Sequence, residues 1–220
     1  MDLHPKQAPR GTRILVDGHA ERYRRICNTL ISIAEVFGAR EIMLPILDVT
    51  RLYHEAGREA RRHMYTLFEP KTRISLCVRP EGTITCRLIA DTLWKDRRDV
   101  RVFYITRCWR NERPQLGRYH EFTQFGVEVL NPKKPEIQGE ILTELATRMI
   151  TAFTQKFSLN TAAQLKYAYY TGLGFEINCD QLGPSQSQVC AGGPYKQGYG
   201  FAIAVERVML LLENGNGHGH

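Results

Sequence analysis

Residues 109–130 read WRNERPQLGRYHEFTQFGVEVL, and the second half of that stretch alternates. From 122 to 130 the odd positions are Thr123, Phe125, Val127 and Val129, and the even ones are Phe122, Gln124, Gly126 and Glu128. Successive side chains on a strand point to opposite faces. One face is therefore largely apolar and packs under helices, while the other carries an amide, a gap and a carboxylate. An ordinary half-exposed strand shows this alternation when its polar face looks at water; a ligand lying on that face is the alternative. In the first half, Arg110 and Glu112 share one parity, and Pro114 and Gly117 break the strand into a loop carrying Arg113 and Arg118. Arginine forks match phosphate and carboxylate oxygens two at a time. Four of them, at 107, 110, 113 and 118, exceed what one small anion needs. Either they position a larger polyanion or they form a solvated basic hairpin.

A second alternating stretch lies at 169–177. Its odd positions are mostly large and apolar, and its even positions are Tyr170, Gly172, Gly174 and Glu176. Two glycines on one face of a strand add entropy loss and no packing. They fit a flat ligand against the backbone, or a bulge. Elsewhere, apolar steps of three and four from Tyr23 to Phe37 predict a helix over 19–37, stopped by Gly38. A short strand follows at 41–44, closed by Pro45. Residues 81–94 predict a helix and 102–106 a strand. Pro135 opens a long helix with Ile137, Ile141, Leu145, Met149 and Phe153 on one stripe, and 201–213 predict a C-terminal helix. Consecutive strands among helices imply an α+β fold, an antiparallel sheet flanked by helices.

The bulk composition bounds the rest. A chain of 220 residues suits one domain, and 43% hydrophobic content supports a core. No apolar run approaches the roughly 18 residues of a membrane helix, and the N-terminus lacks a secretory pattern, so the expected location is the cytoplasm. The formal charge of +7 suits polyanionic ligands or simply solubility. Six cysteines at 27, 77, 86, 108, 179 and 190 form no C-x-x-C pair and read as reduced, mostly buried thiols. His54 and His63 sit in the charged run HEAGREARRH without metal-ligand spacing, so no metal site is expected. That run reads as a mobile loop or solvated helix, and His120 as a solvent-facing loop histidine. There is no P-loop and no G-x-G-x-x-G.

With these residues in hand, the chain resembles the class II aminoacyl-tRNA synthetases, and specifically the histidyl-tRNA synthetase family. RNERPQLGRYHEFTQFGVEV is similar to the family's motif 2. LISIAEVFGAREIMLPILD resembles motif 1, which implies a homodimer interface. VRPEGT at 78–83 resembles an amino-acid-binding turn, and AYYTGLGFEI at 168–177 the second half of the histidine signature. AGGPYKQGYGFAIAVERVMLLL at 191–212 resembles a glycine pair followed by motif 3. The resemblance implies a class II catalytic domain over 1–213, a flexible tail at 214–220 and no anticodon-binding domain.

It also implies a mechanism. The carboxylate of an amino acid, histidine in the family, attacks the α-phosphate of ATP with Mg²⁺ present, giving an aminoacyl-adenylate. Arg110 and Arg207 are implied as catalytic, with Arg110 on the α-phosphate. Glu112 would read the adenine amino group, and Arg118 and Arg207 would hold the β and γ phosphates. Glu81, Thr83 and Gln124 would bind the α-ammonium, and Glu128 and Tyr170 the side chain. The acceptor would be a tRNA end or another group. Three departures accompany the resemblance. Leu165 stands where the signature has its catalytic arginine, a contact worth about 2.7–4 kcal/mol in comparable sites. The glycine pair continues GGPYK rather than GGRYD, and the segment between motif 2 and the tyrosines is short. Leu165 leaves a second reading open, a histidine-binding regulatory paralogue like the regulatory subunit of ATP phosphoribosyltransferase.

Overall fold

The computed structural model describes residues 8–184 and 186–215; most of the expected tail, 216–220, lies outside them. Strands β1 (Arg40–Glu41), β5 (Val100–Trp109), β6 (Glu121–Leu130), β7 (Ser158–Ala163), β8 (Gly174–Asn178), β9 (Gln188–Tyr195) and β10 (Gly198–Ala204) form one sheet in the order β1-β5-β6-β10-β9-β8-β7. Only the two-residue β1 runs parallel to its neighbour; every other pairing is antiparallel. A second sheet, in the order β2-β4-β3, comprises β2 (Leu47–Val49), β3 (Tyr65–Phe68) and β4 (Ser75–Val78). The helices are α1 (Asp17–Val36), α2 (Gly57–Arg62), α3 (Thr83–Asp91), α4 (Gln138–Thr151) and α5 (Val205–Gly215). The expected α+β architecture is borne out.

The parity of β6 divides the molecule. Phe125, Val127 and Val129 enter a buried cluster with α1, α4 and α5, where Phe125 stacks on Phe103 of β5 at 5.7 Å between ring centroids. The even side chains face the layer built by α3 and the small sheet. There Tyr104, Tyr195 and Tyr169 pack with Tyr53 and Ile84 in a second core. At the end of α1, Gly38 takes a left-handed φ of 81° and its N–H reaches the carbonyl of Glu35, the stop expected from a glycine at that position.

Three expected elements differ. Residues 201–204, expected to begin the last helix, belong to strand β10, and the helix starts at Val205. Tyr199, Phe201 and Ile203 alternate into the core while the backbone bonds to β6 and β9, so a period of two overrode the apolar run. The strand expected from 169 begins only at Gly174. Tyr169 and Tyr170 are held instead by their rings, 4.5 Å apart. The buried stripe of α4 is Leu142, Leu145, Ala146, Met149 and Ile150 rather than the row through Ile137 and Ile141, because a row of i+4 steps drifts around a helix. All six cysteines are free and buried. No helix among the described residues is long and apolar enough to cross a membrane.

Replacing Phe125 by Ala should cost about 3–5 kcal/mol in urea unfolding, because the cavity it leaves lies in the thickest part of the core. Replacing the 78% exposed Leu93 should change stability by less than about 0.5 kcal/mol. Equal costs at the two positions would contradict the assignment of β6's odd face to the core.

Candidate active site

The even face of β6 forms the floor of a cavity of about 230 Å³. Of the residues expected at a site, Glu81, Thr83, Arg110, Glu112, Arg118, Gln124, Tyr170 and Arg207 line it. Five separate segments supply them: the turn into α3, the β5–β6 loop, β6 itself, the β7–β8 connection and α5. Glu128 does not line it.

The arginines are held by backbone oxygens. Arg110 donates its Nε to the carbonyl of Pro80 at 2.9 Å, and its guanidinium lies 4.9 Å over the Phe122 ring. Arg207 donates to the carbonyls of Gly117, at 3.1 Å, and of Gln188. Gly117 sits at the tip of a tight turn in which Gln115 and Arg118 exchange backbone bonds, and its φ of 72° suits glycine. Arg118 donates to the carboxylate of Glu112. Burial pulls the Arg207 pKa down to about 10, with help from the positive charges of Arg110 and Arg118. Burial pushes Glu112 up, but Arg110 and Arg118 outweigh it and hold its carboxyl below the usual range. Three cations thus share one partly buried space, where Glu112 is the carboxylate bonded directly to one of them and Glu81 and Glu206 also act on Arg110 and Arg207. Of the arginines at 107, 110, 113 and 118, Arg110 and Arg118 face the cavity. Arg107 lies on the helix side, 3.8 Å from Glu121, and Arg113 is exposed.

Glu81 begins α3 by accepting the N–H groups of Thr83, at 2.8 Å, and Ile84, at 2.9 Å, and Tyr169 donates its hydroxyl to the same carboxylate at 3.3 Å. Burial raises its pKa. Gln124 accepts the N–H of Gly82 at 3.0 Å. Below them Glu128 is completely buried and accepts hydroxyls from Tyr195 at 2.7 Å, Thr83 at 2.8 Å and Tyr104 at 3.3 Å. Burial lifts its pKa to about 8.

Tyr104 also explains the gap at Gly126. A Cβ there would stand 2.1 Å from the Tyr104 ring, so the protein's own phenol fills the space. The glycine pair at 172 and 174 differs similarly from expectation. Gly172 lies outside the strand, and a Cβ on Gly174 would meet the Gly192 carbonyl at 2.1 Å and Leu165 at 2.5 Å. Leu165 rests on Gly174 and Gly193 and turns that part of the cavity wall apolar. Sequence reasoning missed Tyr104 and Tyr195, which donate to Glu128, and Tyr167, which lines the cavity; only the tyrosine-rich run at 167–170 signalled any of them.

The loop above the cavity is clamped from outside. His120 is not a free surface side chain: its ring bonds the Tyr65 hydroxyl at 2.8 Å and the Glu112 carbonyl at 2.7 Å. The Gly11 carbonyl accepts the N–H groups of both His120 and Glu121. His63 lines the cavity, and its backbone carbonyl accepts the N–H of Asn111.

Solved structures share this arrangement of sheet and helices. Apo S. aureus histidyl-tRNA synthetase superposes with a TM-score of 0.76 at 24% identity, covering 95% of this chain and 70% of that one. A Bacillus halodurans protein titled ATP phosphoribosyltransferase regulatory subunit/histidyl-tRNA synthetase gives 0.76 at 17%, covering 96% and 84%. The fold is that of a class II aminoacyl-tRNA synthetase catalytic core. Residues 11–160 match the family described as histidyl-tRNA synthetase. A histidine–tRNA ligase of Clostridium perfringens is 34% identical over 183 residues, 80% of this chain and 40% of its own length. One from Desulfitobacterium hafniense is 36% identical over 143 residues, 62% and 34% respectively. The chain belongs to the histidyl-tRNA synthetase family, and it spans between about a third and two fifths of the length of these curated relatives.

The buried Glu128 gives the fold a pH signature. Its ordinary pKa is 4.5 and its folded value about 8. The folded form therefore keeps a proton that the unfolded chain has released. The resulting stability is fully present below pH 4.5 and is lost as pH rises toward about 8. Glu128→Gln, which has no such proton to lose, should flatten the fall in thermal midpoint across that window, an effect on the order of a few kcal/mol. A parent and variant with parallel pH profiles would show that the carboxyl is ionised in place.

Proposed function

We propose that the chain activates an amino acid, histidine, with ATP to give an aminoacyl-adenylate and pyrophosphate. The observation that carries this is the convergence of Arg110, Arg118 and Arg207 on one cavity, with the Arg207 pKa lowered first by burial and then by its positive neighbours. Such a cluster is costly until an anion fills it. A triphosphate fits the three forks.

Backbone bonds orient Arg110 and Arg207 and leave their remaining N–H groups for phosphate oxygens. Arg110 meets the α-phosphate, so the charge developing on phosphorus is stabilised by a group already in place. Arg118 and Glu112 now hold each other. ATP would part them, the guanidinium turning to the β and γ phosphates and the carboxylate to the adenine amino group. Glu81 has about four acceptor sites; two N–H groups and one hydroxyl take three, leaving room for an ammonium proton beside Thr83 and Gln124. The amino acid's carboxylate oxygen then bonds phosphorus as the bond to pyrophosphate breaks. For the side chain, an imidazole beside Tyr170 would replace one hydroxyl now bound to Glu128. Among the described residues no three carboxylates, imidazoles or thiols gather as a metal cage, which suits a Mg²⁺ carried in on phosphate oxygens and water. When bound, Mg²⁺ neutralises charge on the departing pyrophosphate.

The acceptor is a tRNA end, approached past the β5–β6 loop. A homodimer through the motif 1 region agrees with the exposed Met43, Ile46 and Leu47; sedimentation showing a monomer at micromolar concentration would remove it. One observation favours a second reading. Leu165 presents methyl groups where the family signature has a guanidinium, and a histidine-binding regulatory subunit needs no catalysis.

Histidine-dependent ATP–pyrophosphate exchange decides between them. Exchange should be measurable, should fall about 10²–10³-fold in Arg207→Ala, and should rise by up to a similar factor in Leu165→Arg. Histidine binding without exchange, and with no gain in Leu165→Arg, would support the regulatory reading instead.

A further inference from the structure

The short helix α2 has three distinct sides. Ala56, just before it, and Ala60 are buried at 0% and 3% exposure and fix it to the core. Glu59 and His63 line the active-site cavity and pair with each other at 3.6 Å. Arg58, Arg61 and Arg62, spaced i, i+3 and i+4, share the remaining side, are all exposed and line one surface depression. Both acids that could neutralise them are engaged elsewhere: Glu55 pairs with Arg87 at 3.1 Å, and Glu59 with His63. Among the described residues no ion pair or hydrogen bond engages the three guanidiniums.

Their location gives the charge a direction. The N–H of Asn111 bonds the His63 carbonyl at 2.8 Å, and the His63 ring approaches the Asn111 carbonyl at 3.1 Å, so the end of α2 is stitched to the loop that carries Arg110 and Glu112. Arg113, two residues past Asn111, and Lys166, which lines the cavity, are also exposed. The mouth therefore has an unpaired basic border on the α2 side. The pocket already supplies its own arginines for a nucleotide, so this outer set addresses an anion too large to enter.

We propose that the α2 face formed by Arg58, Arg61 and Arg62 docks the phosphate backbone of an RNA whose 3′ end enters the cavity. This rests on the acceptor reading above and adds the surface that holds the acceptor. Three like charges at helical spacing repel one another until a polyanion with regularly spaced phosphates lies across them. An acidic protein segment would offer similar charge without that regular spacing.

The test measures binding to the 220-residue chain, without ATP, of a fluorescent RNA hairpin ending in a single-stranded CCA 3′ tail. A polyglutamate peptide serves as the competing probe. Arg58→Ala/Arg61→Ala/Arg62→Ala should bind the hairpin about tenfold to a hundredfold more weakly, and its slope of log K against log salt should be shallower by about 2–3. Arg61→Glu alone should weaken binding in the same direction. Thermal melts of both variants should match the parent, since these side chains make no core contact. Unchanged affinity and salt slope, a parent that does not bind the hairpin, or a parent that prefers polyglutamate would each overturn the proposal. Pyrophosphate exchange, measured separately without RNA, should be the same in parent and variants. Its absence from the parent would count against the activation reading, whereas the RNA measurements judge α2.

Discussion

Strand β6 is hydrogen-bonded along both edges, to β5 over ten residue pairs and to β10 over seven. Its backbone polar groups are satisfied, so its side chains have only two directions in which to act. One direction is taken by the core against α1, α4 and α5. The other must then hold whatever polar chemistry the strand carries. Glu128 and Gln124 sit in the middle of a sheet because the strand between two partners cannot twist them out to water. A buried carboxylate in that position costs free energy unless it is protonated or well bonded. The three hydroxyls around Glu128 and its raised pKa are the local answer to a constraint set by strand pairing.

The same constraint shapes the cavity. Its floor is sheet, whereas the arginines of its walls sit on a loop and at a helix start, each tied by bonds to backbone carbonyls. Arg110, Arg118 and Arg207 come from positions 110, 118 and 207, yet they meet because β6 and β10 are neighbours and α5 follows β10 directly. Rigid floor and tethered walls suit a site that aligns two charged reactants, since misplacement of either is penalised steeply.

Much of this was legible in the sequence, for identifiable reasons. The parity of 122–130 separated core from site because a paired strand obeys a strict period of two. The arginines stood out because forks near a turn have few structural uses. What failed had equally physical causes. Gly126 looked like a space for ligand, but its occupant, Tyr104, comes from the neighbouring strand, and no local pattern in β6 encodes it. Gly174 was open to a flat ligand or a bulge; Leu165 and the Gly192 carbonyl use that room, and the register of β7 shifts beside it. Residues 201–204 of β10 were read as helix because a short apolar run that continues into a helix does not announce its own period. Tyr169 and Tyr170 lie outside the strand in a turn that keeps a single bridge to Tyr195, with their rings packed together. In each case a tertiary partner decided a matter that local spacing left open.

The clamp around His120 joins the beginning of the chain to the rim of the cavity. Gly11 receives two N–H groups from the far end of the β5–β6 loop, and His120 passes the connection on to the backbone of Glu112. A Cβ on Gly11 would stand 2.4 Å from the imidazole, so the contact is close as well as bonded. Residues 8–12 are thus a strut for the β5–β6 loop rather than only a lead-in to α1. Whatever is spliced onto that end, or cut from it, is an alteration made at the edge of the cavity.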